Sequence, residues 1–178
     1  MTQEARLEES SSGLAPVTDG WFAVNVRDAV WMTNDAFGAA CFFEGDDVPF
    51  AELGFNLRVF SPGQPHGLYH AEPHQENFLV LAGECLLLVE GEERPLNAWD
   101  FVHCPPDTPH VFVGAGDGPC AILMVGRRTE EVTYPRSELA LRYGAGVETE
   151  TSEPLEALGP FPRWRLVRPE SSTGLPWA

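Results

Sequence analysis

Positive charge is what this sequence most lacks. Eleven basic residues stand against 27 acidic ones, a net charge of −16 over 178 residues. Nucleic-acid binding needs clustered Lys and Arg against phosphate, and so does attraction to an anionic membrane surface; neither partner is expected. Long apolar runs are also missing, since none approaches the roughly 18 residues that cross a bilayer. The opening MTQEARLEESSSGLAP is polar and acidic. It lacks the basic and apolar regions of a secretory signal, and a cytoplasmic protein is expected. The four cysteines, Cys41, Cys85, Cys104 and Cys120, are far apart and form no C-x-x-C pair. They read as buried, reduced thiols rather than a zinc site or a disulfide framework. There is no Ser/His/Asp pattern, phosphate-cradling glycine loop, dinucleotide fingerprint or internal repeat.

What is present is a series of short apolar runs separated by Gly, Pro and acidic turns. The runs fall at 21–26, 37–43, 53–60, 78–83, 84–90, 100–104, 110–114 and 120–126. Turn clusters such as EGDD (44–47), SPGQP (61–65), EGEERP (90–95), CPPDTP (104–109) and GAGDGP (114–119) lie between them. Regular short strands with turn signals predict an all-β sandwich or barrel. Residues 1–19, rich in Glu and Ser, read as a flexible lead-in, and 20–127 as one barrel domain. Residues 128–178 read as an arm packed on the barrel or on a partner subunit. Short helices are predicted at 135–144, with Pro135 at the start and Gly144 at the stop, and at 152–159. WRLV (164–167) reads as strand.

Chemistry concentrates in PGQPHGLYHAEPHQENFLVLAG (62–83) and WDFVHCPPDTPHVFVG (99–114). On a strand, His70 and Glu72 are two apart and share a face. Glu76 follows after a turn, and His110 opens a later strand that can fold back opposite the first group. Imidazoles and carboxylates converging inside a barrel suit a divalent transition metal. His74 is an alternative ligand. His66 reads as a loop residue at the barrel mouth. Alternation turns Val102 and Cys104 to one face and His103 to the other, and it turns Tyr69 away from His70. Phe55, Leu57, Phe78, Val80 and Phe112 are candidates for an apolar pocket wall or for plain core. Arg58, His66, Asn56 and Gln64 are the few candidate substrate anchors.

These segments resemble the two motifs of the cupin superfamily. His70-x-Glu72, Glu76 and Gly83 follow the spacing of the first motif. Trp99, Pro105-x-Asp107, His110 and Gly114 follow that of the second. Glu72 stands where the family usually has a second His; Trp99 and Asp107 replace glycines, and Gly114 replaces Asn. The resemblance implies a double-stranded β-helix, or jelly-roll barrel, with short C-terminal helices. It implies one divalent metal ion (Zn, Mn, Fe or Ni) on His70, Glu72, Glu76 and His110, and a small-molecule ligand in the barrel. It also implies a homodimer. Two functions follow from it: a metal-dependent enzyme of oxygenase, isomerase or decarboxylase type, or a non-catalytic metal- or ligand-binding cupin used in sensing or storage.

Overall fold

Side chains alternate in and out along every long strand, and this alternation builds two antiparallel sheets around a shared apolar interior. The structure is a computed structural model that describes residues 3–129, 131–167, 175 and 177. Its strands are β1 (Leu7–Ser10), β2 (Gly13–Pro16), β3 (Val30–Asn34), β4 (Gly38–Phe42), β5 (Leu53–Phe60), β6 (Glu76–Ala82), β7 (Glu84–Val89), β8 (Glu92–Asn97), β9 (Phe101–Cys104), β10 (His110–Ala115), β11 (Cys120–Arg127) and β12 (Arg165–Leu166). Two short helices, α1 (Glu138–Arg142) and α2 (Pro154–Leu158), lie between β11 and β12. The large sheet runs β12-β3-β4-β5-β11-β6-β9 and the small one β10-β7-β8. Among the described residues, no helix is long and apolar enough to cross a membrane.

The interior draws on both sheets: Phe60, Phe78, Val80, Cys85, Leu87, Cys104, Phe112, Cys120 and Ile122 form one buried cluster. Each large side chain there contributes roughly 1.5–3 kcal/mol by leaving water. The intervening residues cover the outer faces. Trp31, Cys41, Leu57 and Ala121 form a second core behind the large sheet. Tyr69, Leu88, Val111 and Val113 pack with Leu139 and Ala140 of α1 behind the small one. The C-terminal arm packs on the barrel through Tyr134, Val147, Ala157, Phe161 and Trp164, which meet Phe37 and Leu68.

Several local expectations are corrected. The predicted flexible lead-in carries the β1–β2 hairpin. Backbone bonds dock it: Ala5 N–H donates to Trp21 O, Leu14 N–H to Asp28 O, and Trp31 N–H to Ser12 O. Such bonding leaves no apolar periodicity to read. The run at 21–26 is not a strand. Its Val24 and Val26 lie across the outer core, and the strand comes next, at β3. EGEERP is not simply a turn, because Glu90 and Gly91 form a two-residue hairpin with φ of 50° and 79° and β8 follows at once. Its polar sequence and Pro95 suit an edge strand. Helix α1 starts later than predicted. The Ser137 hydroxyl caps it by accepting from Ala140 N–H at 3.2 Å, so Pro135 lies outside. Residues 168–174, part of the predicted arm, lie outside the described residues.

Candidate metal centre

Across the large sheet, the inward residues line up in rows. Arg58, Ile122 and Val80 form one row, Asn56, Met124 and Phe78 the next, and Gly54, Gly126 and Glu76 the last. Each row carries one polar side chain, Arg58, then Asn56, then Glu76 toward one end of the interior. Gly54 and Gly126 leave space beside Glu76 that side chains would fill; a methyl group on Gly126 would stand 3.5 Å from Glu76 Cγ and 4.0 Å from Glu72 Oε2. His70 and His110 reach the same end as an antiparallel bridge. His70 N–H donates to His110 O at 3.1 Å and His110 N–H to His70 O at 2.9 Å. Residues directly opposite in such a pair project to one face, and the two rings lie 5.1 Å apart. Ligand atoms of His70, Glu76 and His110 come within 4.8 Å of one another.

Each imidazole has its other nitrogen committed. His70 Nδ1 lies 2.7 Å from Leu68 O and His110 Nδ1 2.9 Å from Thr108 O. A carbonyl only accepts, so both Nδ1 atoms carry the proton and both Nε2 atoms keep a lone pair for the site. His110 Nε2 is buried without a hydrogen-bond partner, 3.6 Å from Glu76 Oε2. Burial, helped by neighbouring His70, lowers the His110 pKa to about 4. Burial also lowers His70. Burial and then the Glu72 charge push Glu76 up to about 8, and burial raises Glu72. Neutral imidazoles with free Nε2 lone pairs, beside carboxyls that a cation would ionise, fit a divalent ion.

The family pattern for the cupin domain matches residues 56–126. Over that stretch the chain is similar to the cupin domain. Dimethylsulfoniopropionate lyase DddQ of Ruegeria pomeroyi is 34% identical over 113 residues, 59% of this chain and 54% of that protein. The chain thus spans about half the length of the curated relative it matches. The solved polyketide cyclase RemF of Streptomyces resistomycificus matches with a TM-score of 0.53 at 17% identity, over 60% of this chain and 79% of that one. A cupin-superfamily sugar phosphate isomerase of Silicibacter pomeroyi matches at 30% identity and a TM-score of 0.47, over 53% and 62% of the two chains. The jelly-roll architecture expected from the sequence is what the two facing sheets form, and the likeness to RemF supports the fold alone.

Of the four ligands expected, the fold brings His70, Glu76 and His110 together, while Glu72 stands outside that trio. Glu72 lines the same inner cavity of about 200 Å³, together with Asn56, Arg58 and His66. His74 lies elsewhere, in a surface groove with Glu52, Gln75 and Arg127. His66 is not an open mouth residue: it is buried, and its Nδ1 accepts from Phe112 N–H at 3.1 Å. His103 points outward to Asn77, as alternation requires. Phe78, Val80 and Phe112 are interior, but Leu57 faces the outer core and Phe55 is exposed. Gln64 ties a loop, donating to Asp35 O and accepting from Ser61 N–H. An outer cavity of about 610 Å³ adjoins the inner one. Tyr134, Leu158 and Trp164 line it beside Arg58, His70 and Glu72. Nothing in the spacing of the arm marked Tyr134 or Trp164 as site residues.

The motif departures keep the family's turns at a cost. Trp99 and Asp107 hold φ of 76° and 60°, the left-handed conformation that glycine adopts freely and bulky residues rarely. At Gly114 a methyl group would meet Ser61 O at 2.1 Å, so the close approach of the Ser61 backbone leaves no room for Asn.

Proposed function

We propose that this protein is a divalent-metal-dependent enzyme of lyase or isomerase kind, acting on a small molecule held in the inner cavity. The observation that carries this reading is the unpartnered, buried Nε2 of His110, aimed at Glu76, with the tautomers of both histidines set by backbone carbonyls. His70, Glu76 and His110 would hold the ion, and Zn, Mn, Fe and Ni all suit such a nitrogen and carboxylate set. A bound ion supplies Lewis-acid polarisation of a substrate oxygen. Glu72 and Tyr134 face the adjoining space and can take or return a proton. The lyase named among the relatives supports proton-transfer chemistry.

Elemental analysis after gel filtration is expected to find about one divalent ion per chain. His110→Ala should weaken binding at least tenfold, while His74→Ala leaves it unchanged; equal losses would overturn the ligand assignment. In deuterated water, the metal-loaded protein should exchange a C–H proton of a substrate found by screening small C–H acids. His110→Ala should not. Full metal occupancy with no exchange across the screen would favour a binding-only cupin.

A further inference from the structure

We propose that Arg58 is the anchor for a carboxylate of the ligand, at the junction of the inner and outer cavities. This rests on reading those cavities as a substrate site. Arg58 projects inward from β5 in the row of Ile122 and Val80, and it lines both cavities together with His66, His70 and Glu72. Its Nε and Nη1 are buried and have no hydrogen-bond partner. Among the described residues it pairs with no carboxylate, whereas Arg6, Arg27, Arg94, Arg128, Arg136, Arg142 and Arg165 each do.

A buried guanidinium without an anion is expensive. It cannot escape by losing its proton near neutral pH, because burial lowers its pKa only to about 10. The cost is recovered when an anion arrives. Arg58 is also held in place: its guanidinium carbon lies over the Trp164 ring, 4.8 Å from the centroid, a cation–π contact supplied by the C-terminal arm. The free Nε and Nη1 each share an edge of the planar fork with Nη2, and either edge matches the two oxygens of a carboxylate. One inner row closer to Glu76, Asn56 Oδ1 is likewise buried and unpartnered. It is placed to accept from a hydroxyl or amine on the same ligand.

The charge balance favours a carboxylate over a phosphate. Glu72 and Glu76 already line the inner cavity. Arg128, the guanidinium beside Gly54, is committed to Glu44. Arg127 also lines this cavity but is exposed to water, so Arg58 is the one cation there with buried, unpartnered nitrogens; it balances one negative charge, and a dianion would leave an excess near two carboxylates. The inner volume of about 200 Å³, below the roughly 300–1,000 Å³ of drug-sized sites, suits a molecule of a few carbons.

The test uses the full-length, nitrogen-15-labelled protein, both metal-stripped and zinc-loaded. Arginine Nε–H resonances are followed on titration with propanoate, propionamide and inorganic phosphate. Propanoate is expected to shift one resonance saturably in both forms, the resonance that is missing from Arg58→Lys and Arg58→Gln. Propionamide should shift nothing. Arg58→Lys, which keeps the charge but not the fork, should bind propanoate at least tenfold more weakly while retaining a dispersed spectrum. No propanoate shift, or an equal shift by propionamide, overturns the anchor. Tighter binding of phosphate overturns the carboxylate assignment. Because the metal-stripped arm reads the anchor alone, a protein that refuses zinc yet shows the propanoate shift would sink the metal reading and leave this one standing.

Discussion

Stripped of metal, the protein is expected to lose stability as pH rises from about 6.5 to 8, and Glu76→Gln is expected to abolish that loss. The Glu76 carboxyl, ordinarily near 4.5, is pushed up to about 8 by burial and then by the Glu72 charge. The folded state therefore holds this proton more tightly than the unfolded chain. Its contribution is fully present below 4.5 and is lost as pH rises through about 8, at about 1.36 kcal/mol per pH unit. His110 acts with the opposite sign. Lowered from 6.5 to about 4 by burial and by His70, it contributes stability that is present above 6.5 and lost as pH falls through about 4. Between 4.5 and 6.5 the two slopes oppose each other and largely cancel. Above 6.5 the Glu76 slope no longer meets the opposing His110 slope, over about 1.5 pH units, which amounts to about 2 kcal/mol. For a chain of this size that is about 4–8 °C in melting temperature. Thermal melts in chelator from pH 6 to 8.5, wild type against Glu76→Gln, measure it. In the loaded protein the ion takes the place of this proton, so calorimetry in two buffers at pH 7 should count about one proton released per ion bound. An equal slope in Glu76→Gln, or proton release near zero, would refute the reasoning.

Other perturbations test the fold around the site. A homodimer is proposed, with Trp99 and Phe101 as contacts, because both are largely exposed beside edge strand β9 and such edges invite covering. Light scattering coupled to size exclusion decides it, and a clean monomer at micromolar concentration counts against it. Trp99→Gly should relieve the left-handed strain at φ 76°. After the entropy cost of glycine, it should stabilise the isolated chain by roughly 0.5–1 kcal/mol while weakening the dimer. A loss of stability in urea melts on a chain already shown to be monomeric would contradict the strain argument. Gly114→Ala places a methyl group 2.1 Å from Ser61 O and should cost more than about 2 kcal/mol. An unchanged denaturation midpoint would mean that the Ser61 backbone moves freely.

The sequence alone determined what depends on near neighbours along a strand. β5, β6, β7, β10 and β11 were legible because apolar runs with period two, bounded by Gly and Pro, have few other ways to bury one face. His70, Glu76 and His110 were legible through their spacing in the two segments that resemble the cupin motifs. Alternation turned Tyr69 and His103 away, and the structure places both so. The tertiary structure decided what depends on distant backbone. Glu72 satisfies the same two-residue rule as His70 yet falls outside the close trio, because strand pairing joins His70 to His110 and not to Glu72. β1 and β8 are held largely by backbone hydrogen bonds with most side chains in water, and such bonds have no compositional signature. Asn56 and Arg58 of β5 were legible as candidate anchors, but the pattern left open whether they or Phe55 and Leu57 face the interior. That Arg58 would find no carboxylate, and that Trp164 would cross from the arm to lie against it, follows only from packing between residues more than a hundred positions apart.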